Sequence, residues 1–125
     1  VADYRPKTVA SQKIKKSDGD WCLELERNPD ILAWLGAHKN KQILVGFAAE
    51  TNDVQQNALS KLQRKRLDLI AANDLTEQHS GFARDTNKIT LYGADGSVTE
   101  LPVLSKEQAA DALLDKVLAI YQNRK

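Results

Sequence analysis

Methionine is missing from this 125-residue chain altogether, and cysteine occurs once, at Cys22. A lone thiol cannot form an intramolecular disulfide, so nothing points to a bridge-stapled secreted fold. No apolar stretch approaches the roughly 20 residues that a bilayer span needs, and no signal peptide is expected. An excess of either charge is missing too: 18 Lys and Arg oppose 17 Asp and Glu, leaving +1. That balance argues against a general binder of nucleic acid or anionic membrane. The expected location is the cytoplasm. Without an initiating Met, the opening VADYRP reads as part of a larger polypeptide whose first strand lies largely upstream. Val1 and Ala2 would then precede a polar turn at Asp3-Tyr4-Arg5-Pro6. A processed tag or leader would account for the same opening.

Several familiar chemical signatures are also absent. Neither GxGxxG nor GxxxxGKS/T occurs, so the usual dinucleotide and P-loop phosphate cradles are missing. His38 and His79 stand far apart without a Cys or carboxylate at ligand spacing, which argues against a zinc site. No nucleophile elbow supports Ser-His-Asp catalysis. Any nucleotide would have to be held by lysines, helix N-termini and backbone.

What is present is most informative between Ile43 and Asp74. An apolar run, Ile43 to Ala49, opens into a polar turn at Glu50-Thr51-Asn52-Asp53. A basic amphipathic stretch follows, and then a second apolar run from Leu67 to Ala72 that ends on Asn73 and Asp74. This is one strand–helix–strand unit with polar groups where the strands end. Open α/β sheets bind ligands beyond those carboxyl ends.

The remainder organises around that unit. Residues 5–20 are lysine-rich, punctuated by Pro6 and Asp18-Gly19, and read as a loop. Trp21 to Glu26 alternates apolar and polar residues, as a half-buried strand does. Asn28-Pro29-Asp30 reads as a helix start, with Asn as N-cap and Pro at the first helical position. The helix should run to about His38 and bury Ile31, Leu32, Trp34 and Leu35, with a polar turn at Lys39 to Lys41. Residues 75–86 read as a loop. Lys88 to Tyr92 and Ser97 to Val103 flank Gly93-Ala94-Asp95-Gly96 as a hairpin. Ser105 and Gln108 form a capping box for a last helix that buries Ala109, Leu113, Val117 and Ile120. One domain of about this length can bury a core unaided.

Candidate groups each have a plain structural reading beside the functional one. Lys13, Lys15 and Lys16 suit a lid over phosphates, though taken alone a solvated loop is the more ordinary reading, because lysine-rich loops are common. The Asn28-Pro29-Asp30 start offers backbone N–H groups to a ligand, or simply caps a helix. Asn57, Lys61 and Lys65 form an i, i+4, i+8 stripe, which is ordinarily a solvated face. Lys61 and Lys65 lie roughly 12–18 Å along their helix at 1.5 Å per residue, far from the strand end. Phe47 could stack on a base or belong to the core. Asn73 and Asp74 could hold the turn rather than a ligand.

Read in order, VADYRP, QKIKK, RNPDIL, VGFAAET, a KLxxK helix, DLIAAND and GFxxDxN resemble the bacterial phosphopantothenate–cysteine ligase family, over Val1 to about Leu114. In that family the ligase is usually the carboxyl-terminal half of a bifunctional coenzyme A biosynthesis flavoprotein. The resemblance implies CTP-dependent joining of 4′-phosphopantothenate to cysteine. The substrate carboxylate attacks the α-phosphate of CTP, releasing pyrophosphate, and the cysteine amine then displaces CMP from the acyl-cytidylate. Mg2+ would bridge the triphosphate. FMN would belong to the decarboxylase domain, which this chain lacks. The resemblance places nucleotide contacts on Asp3, Lys13, Pro29, Asp30, Ile31, Leu32, Phe47, Lys61 and Lys65, with Lys13 in the active-site flap. Asp3 would bind sugar hydroxyls, the backbone at Pro29 to Leu32 would read cytosine, Phe47 would wall the pocket, and the lysines would neutralise phosphate.

The family's glycine-rich amino-terminal half, which handles phosphopantothenate, has no counterpart here, so the chain alone should be catalytically incomplete. The expected fold is α/β, three-layer and Rossmann-like: a mostly parallel sheet flanked by helices, with a β-hairpin extension. A homodimer or higher oligomer is expected, and the apolar face of the hairpin (Ile89, Leu91, Val98 and Leu101) could form part of its contact or pack on the last helix. A non-catalytic nucleotide-binding or regulatory module is the alternative function. Nucleic-acid binding through LQRKR is weaker, because the run is short and lacks interleaved aromatics.

Overall fold

A computed structural model of the chain describes residues 2–75 and 86–125, with the side chains of 86 and 87 left aside. The loop expected over 75–86 falls almost wholly outside the described residues. So do His79 and the Gly81-Phe82 start of GFxxDxN. The chain forms two compact units, Val1–Ile31 and Leu32–Lys125.

In the first unit, β1 (Tyr4–Pro6) pairs antiparallel with β2 (Leu25–Arg27), in the register Tyr4↔Arg27 and Pro6↔Leu25. The turn expected at Asp3-Tyr4-Arg5-Pro6 is therefore a strand, with Pro6 where an edge strand tolerates it. The half-buried strand expected from Trp21 is also corrected. Only residues from Leu25 are in a ladder, and Trp21, Leu23 and Leu25 are exposed. A two-stranded ribbon has no second layer against which to bury an alternating face.

The second unit begins within α1 (Ile31–Ala37). The expected N-cap is not one: Asn28 is drawn into the ribbon, and the helix starts three residues later. The burial expected of this helix also differs. Trp34 is 61 % exposed and stacks on His38 with ring centroids 4.1 Å apart, while Ile31 and Leu35 are exposed. Only Leu32 packs on the core, alongside buried Gly36. The reason lies in Gly36: a Cβ there would sit 1.9 Å from the Lys65 carbonyl oxygen. The helix docks through bare backbone rather than through its bulky residues.

β3 (Val45–Glu50), α2 (Val54–Arg64) and β4 (Leu69–Asp74) follow as the expected strand–helix–strand unit, the strands parallel from Val45↔Leu69 to Glu50↔Asp74. Next come β5 (Thr86–Asn87), β6 (Ile89–Gly93), β7 (Val98–Glu100), β8 (Leu104–Ser105) and α3 (Lys106–Asn123). The main sheet has the order β3-β4-β6-β7, and β5 pairs with β8 apart from it. The architecture is α/β, but the described sheet is mixed rather than mostly parallel: β4–β6 and β6–β7 are antiparallel. β6 starts beside the point where β4 ends, with the Asp74 N–H on the Lys88 carbonyl at 3.1 Å, so the chain reverses there. β7 is shorter than the run Ser97–Val103 because Pro102 cannot donate to a ladder.

Two cores form, one on each face of the sheet, giving the expected three layers. On one face Ala58 and Leu62 of α2 pack with Ala48, Leu67, Ile70, Ala72 and Tyr92. On the other, Leu69, Ala71 and Leu91 meet Leu113, Val117 and Ile120 of α3, with Ile89 and Leu101 in the same cluster. The capping box at Ser105 and Gln108 is formed, each backbone–side-chain bond measuring 3.2 Å. The inner face of the hairpin is thus covered by the chain's own last helix. Of the two readings of that face, packing on the last helix is the one observed for Ile89, Leu91 and Leu101, whereas Val98, paired with Tyr92, lies on the other face and is exposed. Among the described residues no helix is long and apolar enough to cross a membrane.

Candidate functional site

The residues singled out from the sequence fall into two constellations, one in each unit. In the first, the Asp3 carbonyl accepts the Asn28 N–H at 2.8 Å. The Asn28 side chain donates to the Ala2 carbonyl at 2.7 Å and accepts from the Arg5 guanidinium at 2.9 Å. Arg5 is anchored in turn by Glu26 at 2.9 Å. Asp3 and the Pro29-Asp30-Ile31 stretch therefore sit at the same end of the ribbon, held together by the asparagine that follows β2 and bonds back to Ala2, Asp3 and Arg5. Pro29, Asp30 and Ile31 are exposed. Lys13 is exposed in the stretch between β1 and β2, in neither helix nor strand.

In the second unit the constellation lies at the carboxyl ends of the parallel pair β3 and β4. Glu50 closes β3. Its Oε1 accepts from Lys61 Nζ at 2.5 Å, and its Oε2 from Asn57 Nδ2 at 3.3 Å. Asn57 Nδ2 also donates to the Asn52 carbonyl at 3.0 Å, and the Asn57 N–H donates to the Asp53 carbonyl at 2.9 Å. Asp53, at the N-cap of α2, takes a left-handed conformation (φ 45°) and makes no side-chain cap. Aspartate is among the few non-glycine residues that visit that region readily.

This arrangement answers the difficulty over distance. Side chains on a helix lean toward its N-terminus, so Lys61 reaches back to the strand end although its Cα lies about two turns along α2. Asn57 and Lys61 are a polar stripe turned to the sheet, not a solvated face. Lys65, next on the stripe, is half-buried. Leu32 packs on the core beside α2, so its side chain is structural.

Asn73 lies on the opposite face of the same sheet end, and Phe47 lies on that opposite face in the middle of β3. Phe47 pairs with Ala71, and Ala49 with Asn73, in the parallel register. Ala71 belongs to the α3-side core. Phe47 is 72 % exposed, which removes the core reading of its ring. Asn73 Oδ1 is buried with no hydrogen-bond partner among the described residues, and a buried acceptor in that state calls for a donor.

Sequence reasoning missed Glu50 as a site residue, taking it for part of the turn. The signal was available: Ala48 and Glu50 alternate onto the α2 face, where the Asn57–Lys61 stripe also points. A shallow hollow on α2, lined by Asp53, Gln56, Ser60, Gln63 and Arg64 among others, contains none of the candidates. Among the described residues, no group of three or more His, Cys, Asp or Glu could hold a metal.

Residues 1–121 match the family described as DNA/pantothenate metabolism flavoprotein C-terminal domain. The chain is 49% identical over 120 residues to the coenzyme A biosynthesis bifunctional protein CoaBC of Bacillus subtilis (strain 168), covering 96% of this chain and 30% of that protein. It is 50% identical over 117 residues to the protein of the same description from Vibrio cholerae serotype O1, covering 91% and 29%. Among solved structures it is similar to the C-terminal domain of coenzyme A biosynthesis bifunctional protein CoaBC, with a TM-score of 0.76, 40% identity, and 98% of this chain and 52% of that one covered. The chain thus spans about 30% of the length of the relatives it matches.

Proposed function

Because the chain belongs to the DNA/pantothenate metabolism flavoprotein C-terminal domain family, we propose that it forms the CTP-binding part of a phosphopantothenate–cysteine ligase. The observation that carries this reading is the position of Lys61, whose ammonium lies beside Glu50 at the carboxyl end of β3. Ligands of open α/β sheets bind beyond such ends, and a lysine there can meet phosphate oxygens. The orphan acceptor of Asn73 at the same sheet end and exposed Phe47 in the middle of β3 support it, since an unpaired carbonyl and an aromatic face both suit a nucleotide.

In this reading CTP activates the carboxylate of 4′-phosphopantothenate as an acyl-cytidylate, and cysteine displaces CMP to give the amide. Lys13, Lys61 and Lys65 balance triphosphate charge, Asp3 binds sugar hydroxyls, and the backbone from Pro29 to Leu32 reads the base. Mg2+ would arrive with the triphosphate, keeping most of its waters. Assembly as a homodimer or higher oligomer belongs to the same reading, through a surface other than the inner face of the hairpin.

Titration calorimetry on the intact protein tests it. CTP should bind, more tightly with Mg2+ present, and should be preferred over ATP, GTP and UTP. Equal affinity for all four would overturn base reading by residues 29–32. No binding of any would overturn the nucleotide site.

A further inference from the structure

Glu50 is a carboxylate placed directly against a candidate phosphate-binding lysine, Lys61. Its side chain is only 13 % exposed, and both of its oxygens are engaged, one by Lys61 and one by Asn57. Negative and occupied, it is no ligand for a phosphate. Lys61 is different: its side chain is 34 % exposed, well above that of Glu50. An ammonium carries three N–H donors. Glu50 takes one of them.

A lysine left to itself carries about 2 kcal/mol of rotamer entropy that binding must suppress. Here that ordering is done in advance, because Glu50 fixes Nζ at the strand end and Asn57 fixes Glu50. The turn is closed by the same asparagine, through the Asn52 carbonyl. Strand end, turn and helix therefore share one hydrogen-bonded loop whose outward product is a placed cation.

We propose that Glu50 is the positioning residue for Lys61, holding its ammonium where the phosphates of a bound nucleoside triphosphate arrive. The proposal rests on the reading of Lys61 as part of the nucleotide site. Glu50 acts only through Lys61 and touches no substrate atom. The opposing possibility is that its negative charge merely cancels the lysine, in which case removing it would tighten nucleotide binding.

A double-mutant cycle on CTP affinity separates these outcomes, measured in the intact protein with Glu50→Ala, Lys61→Ala and the pair, and with thermal melts to confirm folding. Lys61→Ala should weaken CTP about 10- to 150-fold, the loss of one charge-assisted contact. Glu50→Ala should weaken it by up to about 30-fold, the ordering entropy of one lysine, and should have no further effect in the Lys61→Ala background. Glu50→Gln keeps one acceptor oxygen and should fall between wild type and Glu50→Ala. It carries the same cycle should the alanine variant melt. Additive losses would overturn the proposal and leave Glu50 merely structural. Tighter binding in Glu50→Ala would overturn it in favour of charge cancellation. Unchanged affinity in Lys61→Ala would overturn the proposal by removing Lys61 from the site, an outcome read from the single variant alone.

Discussion

The guanidinium of Arg124, just past the end of α3, is bonded to the carboxylate of Asp68, just before β4. Asp68 also accepts from Lys39 Nζ at 2.8 Å and from the Leu44 N–H at 2.7 Å. Lys39 Nζ donates in addition to the Arg66 carbonyl at 2.9 Å. One buried carboxylate thus ties together the end of the last helix, the segment after α1 and the entries to β3 and β4. It lies at the end of the sheet opposite the candidate site, so its failure should affect folding rather than ligand contacts.

Asp68→Ala is expected to cost about 3 kcal/mol, the lower end of the range for breaking a buried ion pair, since Arg124 is exposed enough to turn to water. Arg124→Ala should cost about 1 kcal/mol or less, as partly exposed pairs do. Urea denaturation of the two variants would check the contrast. Equal losses would mean that Arg124, not the buried carboxylate, is the keystone.

Acid should act on the same group. Burial pushes the Asp68 carboxyl upward, but hydrogen bonds from Lys39, the Leu44 N–H and Arg124, with the charge of Lys39, outweigh it and hold it below its ordinary 3.8. Because the folded value is depressed, its stabilisation is fully present above the unfolded value and is lost as pH falls through the folded one. Wild-type stability should therefore decline below about pH 4, and Asp68→Asn should be less stable at neutral pH yet flatter across that limb. Parallel acid limbs in the two proteins would assign the decline to other carboxylates.

Gly36→Ala should separate α1 from α2. The added Cβ would meet the Lys65 carbonyl oxygen at 1.9 Å, a backbone atom that cannot swing aside. Overpacking of this kind costs about 1–3 kcal/mol. The measurement is the denaturation midpoint, and an unchanged value would show that α1 slides without loss.

That glycine also shows where the sequence stops being legible. The unit from Val45 to Asp74 was readable because its two apolar runs and the face of α2 each follow the period of their own structure. α3 was readable for the same reason, with Ser105 and Gln108 marking its start. α1 was misread because hydrophobic content suggested the contact face, whereas the contact is made where a side chain is missing. The ribbon Tyr4–Arg27 was missed because short ladders joined across residues 7–24 leave no local pattern. The position of Lys61 beside Glu50 required the helix and the strand to be placed against each other, which spacing along the helix alone does not do.

The hairpin gives a sharper separation of folding from assembly. Leu91 is almost fully buried between the sheet and α3, so Leu91→Ala should cost about 2–5 kcal/mol through transfer and cavity terms. The pair Ile89→Lys, Leu91→Lys should unfold the protein rather than dissociate it. Light scattering combined with circular dichroism would check this. A folded monomer arising from a wild-type dimer would return the hairpin face to the subunit contact.

Lys13→Ala should impair turnover and leave folding unchanged, the reverse of Asp68→Ala. Lys13 is exposed and lies in neither helix nor strand, so deleting its ammonium removes little that stabilises the fold; exposed substitutions of this kind usually stay within about 0.5 kcal/mol. If it closes over CTP during the reaction, the loss of one charge-assisted contact is worth about 1.5–3 kcal/mol, or about 10- to 150-fold in rate. The effect should appear in kcat for the intact protein, since a mobile lysine contributes most when water is excluded from the closed site. Lys13→Arg keeps the charge but spreads it over a planar fork, and should recover only part of the rate. Normal kcat with normal CTP affinity in Lys13→Ala would return this lysine to the solvated loop.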